Sequence, residues 1–149
     1  MKNINWGKLI ASIVICLGVG FLGSAATAPK IQTWYVGLNK PFFSPPNWVF
    51  GPVWTILYLL MGISLYLMWM KKKNLTDKIF NWFWIQLLLN FLWSWVFFGW
   101  ENAGLAIIVI ALLWGAIVKM RQNFKYQLPY LCWVSFASIL NVAVWWLNR

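Results

Sequence analysis

The chain has 149 residues, of which 62% are hydrophobic and only 9% are charged, far below the roughly 25% of charged residues typical of a soluble domain. Plentiful apolar side chains also exclude intrinsic disorder. The net charge is +10, and the basic residues lie between long apolar runs. This pattern is typical of membrane-edge anchors rather than of a nucleic-acid-binding face. We therefore predict an integral membrane protein that contacts a lipid bilayer and has no nucleic-acid partner.

Five uncharged, apolar runs divide the chain, and they occupy residues 9–29, 41–70, 79–100, 102–118 and 126–148. About 20 residues cross a bilayer as a helix, and each crossing must satisfy its own backbone hydrogen bonds. The runs are continuously apolar and do not alternate, which argues against a β-barrel. The sequence thus predicts an all-α membrane protein, a five-transmembrane-helix bundle that forms one domain over residues 1–149.

Prolines and turn residues indicate where the helices end. The second run starts with a Pro-rich segment, so its helix is predicted to begin near Pro46, and Pro52 is expected to bend it near the second turn. Glu101 and Asn102 are expected to form a tight turn between the third and fourth helices. The helices are predicted at approximately 8–28, 46–70, 79–100, 103–119 and 127–148, with a ligand-covering loop at 29–45.

Lysine and arginine are unevenly distributed between the two ends of the predicted bundle. Nine of the 12 fall at the end that holds the N-terminus, namely Lys2, Lys8, Lys71, Lys72, Lys73, Lys78, Lys119, Arg121 and Lys125. The other end holds Lys30, Lys40 and Arg149. The positive-inside rule therefore predicts that the N-terminus lies inside and that the loop after the first helix faces outside. We expect a multi-pass protein of a bacterial cell membrane.

The sequence offers few groups for metal binding or conventional catalysis. It contains no histidine, the commonest metal ligand and general base, and its two cysteines, Cys16 and Cys132, lie inside apolar runs. The predicted helices carry no charged residue at mid-membrane depth, which disfavours a proton-coupled pump or an ion channel. No metal site and no required cofactor are expected.

Tryptophan and amide side chains recur deep in the predicted helices at helical spacing. The residues that share such faces are Gln86, Asn90, Trp93 and Phe97 on the third helix, Trp133, Ala137 and Asn141 on the fifth, and Trp54 and Tyr58 on the second. A buried amide is costly in hydrocarbon unless it is paired. Two interpretations stay open: the amides join neighbouring helices, or they line an aromatic cavity for a flat ligand.

Four motifs carry a resemblance to a known family. They are Trp34-Tyr35-x-x-Leu38-x-Lys40-Pro41-x-x-x-Pro45-Pro46-x-Trp48-Val49-Phe50-x-Pro52-Val53-Trp54, Leu57-Tyr58-x-x-Met61-Gly62, Leu89-Asn90-x-x-Trp93-Ser94-x-x-Phe97-Phe98-Gly99 and Pro129-Tyr130-x-x-Trp133-x-x-Phe136-Ala137-x-x-Leu140-Asn141. In this order they span nearly the whole chain. They resemble the signature of the TspO/MBR family, which comprises the tryptophan-rich sensory proteins of bacteria and the mitochondrial translocator protein.

The resemblance implies a five-helix bundle, often a homodimer, whose pocket under the first loop binds porphyrins such as protoporphyrin IX and synthetic isoquinoline carboxamides. The family's pocket positions correspond here to Gly23, Ser24, Tyr35, Trp54, Asn90, Trp93, Trp133, Ala137 and Leu140. Tyr58 and Gln86 complete the predicted ligand-binding set, because they share helix faces with these residues.

Two departures from the family pattern limit what the resemblance implies. Eukaryotic members bind cholesterol through a Tyr and an Arg on the fifth helix, and Val142 and Trp146 stand at those places here, which disfavours cholesterol as a partner. A glycine pair on the third helix of some members corresponds to Asn81 and Ile85, so the dimer interface stays open.

Four functions are open at this point, and one of them is a purely structural role as a stress-linked scaffold. The other three involve a ligand. The first is a receptor for protoporphyrin IX or a related tetrapyrrole, with a role in tetrapyrrole homeostasis or stress sensing. The second is light- and oxygen-dependent degradation of protoporphyrin, for which the resemblance implicates Trp54 and Trp133 without any conventional catalytic residue. The third is transport of a tetrapyrrole or sterol, which is disfavoured because five helices cannot form two equal inverted halves.

Overall fold

The computed structural model describes residues 4–71, 80–120 and 124–149, with Phe124 described by its backbone alone. These residues form helices and turns and no β-strand. The five helices are α1, Trp6–Ile31; α2, Phe50–Lys71; α3, Asn81–Ser94; α4, Ala103–Lys119; and α5, Phe124–Leu147. The predicted all-α, five-helix membrane bundle is thereby confirmed.

Some residues used in the sequence predictions lie outside the described part of the chain. They are the basic residues Lys2, Lys72, Lys73, Lys78 and Arg121, and the predicted first residue of the third helix, Ile79. Four described stretches are long and apolar enough to cross a membrane, while α4, with 17 residues, is shorter.

The helices form a closed ring in which α1 packs against both α2 and α3. Helix α4 packs against α3 and α5, and α5 completes the ring by packing against α2. Lipid tails are as apolar as the helices, so close packing and interhelical hydrogen bonds must hold such a ring together. Every helix therefore has two neighbours in the ring.

Glycine permits the close approach of α1 and α2. A Cβ atom at Gly62 would lie 2.8 Å from the Cα of Ile13, and a Cβ at Gly20 would lie 2.6 Å from the ring of Tyr58. Real Cβ atoms do not approach other atoms so closely, so both positions require a residue without a side chain. This close approach brings the ring of Tyr58 against α1.

Several helix boundaries differ from those predicted. Helix α3 ends at Ser94, where a π-helical turn follows, instead of near residue 100. Helix α1 continues through Pro29 to Ile31, three residues past the predicted end. Helix α2 begins at Phe50, after a single 3₁₀ turn over Asn47–Val49, instead of near Pro46. Pro52 is then the third residue of α2. A missing N–H is tolerated in the first turn of a helix, so Pro52 at this position gives no reason for the expected bend near the second turn. Helix α5 begins at Phe124, three residues earlier than predicted.

The loop between α1 and α2 is fastened to the end of the bundle that holds the C-terminus. The side chain of Asn148 accepts a hydrogen bond from the backbone N–H of Asn39 at 2.9 Å and donates one to its carbonyl at 2.9 Å. The ammonium of Lys40 donates to the carbonyl of Tyr35 at 2.8 Å and lies 4.7 Å from the centre of its ring. The bonds of Asn148 hold the loop across this end of the helices, and the contact of Lys40 with Tyr35 fixes the loop internally.

Helix α3 ends in a wide π-helical turn over Trp95–Gly99, closed by a 2.8 Å hydrogen bond from the N–H of Trp100 to the carbonyl of Trp95. The wider turn lets Val96, Phe97 and Phe98 all be buried in succession, which an ordinary α-helical turn of an amphipathic helix does not favour.

A tight turn then joins α3 to α4, as predicted. Glu101 adopts a left-handed backbone conformation with φ 53°, and the side chain of Asn102 caps α4 by accepting from the N–H of Leu105 at 2.9 Å. Glu101 also forms an ion pair with Lys30 at the end of α1. Because both side chains are partly exposed, this pair contributes at most about 1 kcal/mol.

Gly62→Ala should lower the free energy of unfolding by about 1–3 kcal/mol, because the added methyl group meets the backbone of Ile13, which cannot rotate aside. Gly18→Ala is the matched control, since a Cβ there meets nothing within 4 Å. Thermal unfolding of the two variants in detergent measures the difference. Equal melting temperatures would contradict the close contact between α1 and α2 at Gly62.

Candidate functional site: an aromatic groove beside a small inner cavity

A groove of about 380 Å³ lies between α1, α2 and the end of α3. We call it the outer groove. Its lining residues are Leu17, Gly20, Phe21, Ser24, Thr27, Ala28, Ile31, Phe50, Gly51, Trp54, Thr55, Tyr58, Trp93, Ser94 and Phe98. The volume is within the range of about 300–1,000 Å³ that is typical of small-molecule sites.

The surface of the outer groove is mainly apolar and aromatic. Its hydroxyl groups on Ser24, Thr27 and Thr55 each donate to a carbonyl of their own helix, at 2.7, 3.2 and 2.9 Å respectively. These donors are therefore already used. No charged side chain occurs among the described residues that line the groove. The groove thus suits a ligand whose body is flat and apolar.

A second, inner cavity lies on the other side of an aromatic wall and measures only about 20 Å³, which is room for about one water molecule. Its lining residues are Tyr35, Phe50, Trp54, Trp93, Phe97, Phe98, Trp133, Ala137, Leu140 and Asn141. Trp54 and Trp133 therefore share one cavity, as the sequence predicts, but that cavity is too small for a macrocycle. The outer groove is the larger of the two spaces.

Four aromatic residues line both spaces and form the wall between them, namely Phe50, Trp54, Trp93 and Phe98. The rings of Trp54 and Trp93 lie 6.2 Å apart, and the ring of Trp54 lies 5.9 Å from that of Tyr58. Both distances are typical of favourable aromatic pairs. The wall therefore presents contiguous ring surface to the outer groove.

Asn90 belongs to the hydrogen-bonded framework of the bundle and does not line either cavity. Its side-chain oxygen accepts from the hydroxyl of Tyr58 at 2.9 Å, and its amide donates to the hydroxyl of Tyr130 at 2.7 Å. The three side chains are buried and belong to α3, α2 and α5. Asn90 therefore joins three helices, and its predicted contact with a ligand stays a prediction.

Gln86 and Gly23, also predicted to bind ligand, lie away from both cavities. The amide of Gln86 is fully buried and donates to the sulfur of Met61 at 3.8 Å. Gly23 is buried where α1 meets α3, and a Cβ there would lie 3.4 Å from the hydroxyl of Ser94. Both residues therefore lie at contacts between helices.

Asn141 fixes the orientation of one ring in the wall. It accepts from the indole N–H of Trp93 at 3.0 Å and donates to the carbonyl of Ala103 at 2.8 Å. One side chain on α5 thus joins α3 to the first residue of α4. For Asn141 and Asn90, the interpretation of buried amides as interhelical contacts is the one that the structure supports.

Tyr35 closes the inner cavity from the loop side. It is 2% exposed, and its ring lies 6.0 Å from that of Phe50 and 5.7 Å from that of Phe98. Burial raises the pKa of Tyr35 above its usual value, and the hydroxyl of Ser44 offsets part of this rise. The phenol therefore stays neutral at physiological pH.

The structure brings eight of the 11 predicted ligand-binding residues to the two cavities. Ser24 and Tyr58 line the outer groove, Trp54 and Trp93 line both spaces, and the inner cavity adds Tyr35, Trp133, Ala137 and Leu140. The prediction omitted Gly20, Phe50, Phe97 and Phe98. Phe50 stands within a signature motif, and Phe97 shares a predicted helix face with Trp93. The π-helical turn makes the adjacent Phe98 point inward as well.

The site contains no arrangement suited to metal binding. Throughout residues 4–71, 80–120 and 124–149, no group of three or more His, Cys, Asp or Glu side chains lies close enough to hold an ion. The chemistry available at the site is therefore that of aromatic rings, indole N–H groups and hydroxyls.

Comparison with known proteins agrees with the aromatic motifs and with the fold. The profile of the TspO/MBR family matches residues 12–147. The chain belongs to the TspO/MBR family. The matched residues include all five helices almost completely, and every residue of both cavities lies within them.

Three relatives from an archaeon, a mammal and a bacterium are similar to this TspO/MBR chain over most of its length. It is 48% identical to the tryptophan-rich protein TspO of Archaeoglobus fulgidus, with 97% of this chain and 99% of the relative covered. It is 36% identical to the translocator protein of Homo sapiens, covering 84% and 80% of the two chains. It is 32% identical to the tryptophan-rich sensory protein of Cereibacter sphaeroides, covering 98% and 94%.

Asn90→Ala should lower the free energy of unfolding by about 2–4 kcal/mol, because it leaves the buried hydroxyls of Tyr58 and Tyr130 without a shared partner. Tyr130→Phe, which removes one of the two bonds, should cost less. Thermal unfolding combined with ligand titration separates the possible roles of Asn90. Unchanged stability together with a large loss of ligand affinity would mean that Asn90 contacts the ligand directly.

Proposed function

We propose that this membrane protein is a receptor for flat aromatic ligands, namely porphyrins of the protoporphyrin IX class and isoquinoline carboxamides, which bind in the outer groove. The observation that carries the proposal is the wall of Trp54 and Trp93 rings beside a space of about 380 Å³. Family membership, with relatives named sensory and translocator proteins, supports the more general role of a membrane-bound sensor or ligand-binding protein.

A tetrapyrrole matches the chemistry of the groove. Its planar ring system can stack on indole faces, and stacked aromatic pairs contribute about 0.5–1.5 kcal/mol beyond the area they bury. The chain has no histidine to ligate haem iron, so the free-base porphyrin is favoured over haem. No cofactor is required for this role, because binding needs shape and ring contacts alone.

The end of the groove near the loop suits the carboxylates of a porphyrin. Ala28 and Ile31 line that end, and Lys30 lies between them in the sequence with its ammonium on the ion pair with Glu101. The ammonium of Lys40 lies on the loop, over the ring of Tyr35. Two cations near the water-accessible end of an apolar groove would attract an anionic tail while the ring stays buried.

The orientation in the membrane and the dimer are further parts of the proposal. Lys8 lies 5.2 Å from the ring of Trp69, and Lys119 lies 4.7 Å from that of Trp82, which supports an interfacial belt at the end that holds the N-terminus. We place that end inside a bacterial cell membrane on the charge count. The homodimer stays a prediction from the family resemblance.

Ser24→Phe should weaken protoporphyrin IX binding at least tenfold, because the larger side chain fills space in the outer groove. Val14→Phe is the matched control, since Val14 is 61% exposed on the same helix and lies outside the groove. Quenching of tryptophan fluorescence by protoporphyrin IX measures both affinities. Equal affinities of the two variants would show that the ligand does not bind in the outer groove.

Photochemical degradation of the bound porphyrin is a second candidate function. It is favoured by the position of Trp54, whose indole lies on the groove wall within ring contact of Tyr58 and Trp93. Light excites the porphyrin, molecular oxygen is the oxidant, and a neighbouring indole can donate an electron to the excited ring. The protein then supplies position and an electron donor, with no acid, base or metal.

Under light and oxygen, Trp54→Phe should slow the loss of porphyrin absorbance severalfold relative to the wild-type complex, because the nearest electron donor on the wall is removed. Trp114→Phe is the control, since its indole donates to Ser135 outside both cavities. Absorbance spectra with and without oxygen provide the measurement. Products and rates identical to those of free porphyrin would exclude this function.

A further inference from the structure

An ion pair lies at the end of the outer groove that is nearest the loop. It joins Lys30, in the last turn of α1, to Glu101, in the turn between α3 and α4. Both side chains are more than a third exposed, at 36% and 38%. Exposed ion pairs contribute little net free energy, because water solvates the separated charges almost as well. The pair can therefore open at low cost.

The position of Lys30 on α1 places it at one edge of the groove. Thr27, three residues earlier, and Ile31, the next residue, both line the groove. Gly23 is seven residues before Lys30, so both lie on one face of α1, and Gly23 packs against Ser94, which also lines the groove. Lys30 therefore lies above the edge where α1 meets the end of α3, about 10 Å from Gly23 toward the loop.

The described residues at the loop end of the bundle include three cations, and among them only Lys30 is paired with a carboxylate. Lys40 donates to the carbonyl of Tyr35 at 2.8 Å and lies over its ring, and Arg149 lies over the ring of Trp146. A carboxylate that enters can replace another carboxylate directly, because the ammonium then keeps the same kind of partner. Lys30 is thus the cation at this end whose partner an anionic ligand can exchange.

Glu101 is held where its carboxylate reaches Lys30. The chain has only two acidic residues, Asp77 and Glu101, and Glu101 is the one within the described part of the chain. Its backbone has the left-handed φ of 53°, and the flanking N–H groups of Trp100 and Asn102 both donate to the π-helical turn, at 2.8 and 3.1 Å. A negative charge fixed in this way occupies Lys30 whenever no other anion is present.

We infer that Lys30 binds a carboxylate of the ligand, and that Glu101 competes for Lys30 until an anionic ligand displaces it. The inference rests on the proposed receptor function and specifies how the charge of a ligand alters its affinity. A ring bound in the groove holds its carboxylate near Lys30 at high effective concentration, which favours the exchange. The displaced carboxylate of Glu101 turns to water, to which it is already partly exposed. A neutral ligand leaves the ion pair intact.

The test compares protoporphyrin IX with its dimethyl ester, which has the same ring and no carboxylate. At neutral pH the carboxyl groups of the acid are ionised, because such groups have pKa values of about 4. Quenching of tryptophan fluorescence in a neutral detergent measures the affinities of the wild type, Lys30→Gln, Glu101→Gln and the double variant. Arg149→Gln is the matched control, since it removes a positive charge at the same end and leaves the ion pair intact. Every variant keeps all the tryptophans, so the signals are comparable.

Lys30→Gln should lower the affinity for protoporphyrin IX about fivefold and leave the affinity for the ester unchanged, because only the acid loses a charge-assisted contact. Glu101→Gln should raise the affinity for the acid about threefold, because the competing carboxylate is gone, and should again leave the ester unchanged. In the double variant this gain should vanish, since Glu101 acts through Lys30. Arg149→Gln should bind both compounds like the wild type.

The outcomes separate this inference from the proposed function. Acid and ester affinities that change alike in Lys30→Gln, or a gain from Glu101→Gln that persists without Lys30, would overturn the inference and leave the receptor function intact. Failure of the wild-type protein to bind either compound would overturn the receptor function for porphyrins, and the inference with it.

If Lys30→Gln does not fold, Glu101→Gln by itself provides the test against the wild type. A gain in affinity for the acid without a gain for the ester supports the competition between Glu101 and the ligand. An equal gain for both compounds, or no gain for the acid, would overturn it.

Discussion

The structure depends on how buried amides are paired inside a bundle that lipid surrounds. Asn90 links α2, α3 and α5 through two tyrosine hydroxyls, and Asn141 links α3, α4 and α5 through Trp93 and the carbonyl of Ala103. In hydrocarbon these groups have no water to bond, so their geometry is set by one another. The two asparagines therefore hold the helices at fixed separations.

The same hydrogen bonds prepare the site. Asn90 holds the hydroxyl of Tyr58, and Asn141 holds the indole of Trp93, so two rings that face the outer groove have fixed orientations before any ligand arrives. Preorganised walls reduce the ordering cost of binding. In contrast, Trp54 is held by ring contacts, and Trp133 has an unpaired N–H. Some aromatic residues around the two cavities are thus fixed by hydrogen bonds, and others are held by ring contacts alone.

Much of the fold could be predicted because long apolar runs allow few alternatives in a membrane. Composition predicted a membrane protein, run lengths predicted five helices, and Glu101-Asn102 predicted the tight turn that the structure contains. The ends of helices were less predictable. Pro29 lies inside α1 and Pro52 in the first turn of α2, because proline restricts a helix only through its missing N–H and its ring, which neighbouring turns can accommodate.

For the site, the sequence by itself determined which helix faces carry aromatic and amide side chains, because helical spacing fixes the face on which a residue lies. Only the tertiary structure decided what each face meets. Asn90 and Gln86 share a face with Trp93, yet both amides pair with neighbouring helices while the indole forms the wall of the groove. A void exists where packed surfaces fail to fill space, and its volume depends on all the helices together. The division into an outer groove of about 380 Å³ and an inner cavity of about 20 Å³ could therefore not be predicted from the sequence.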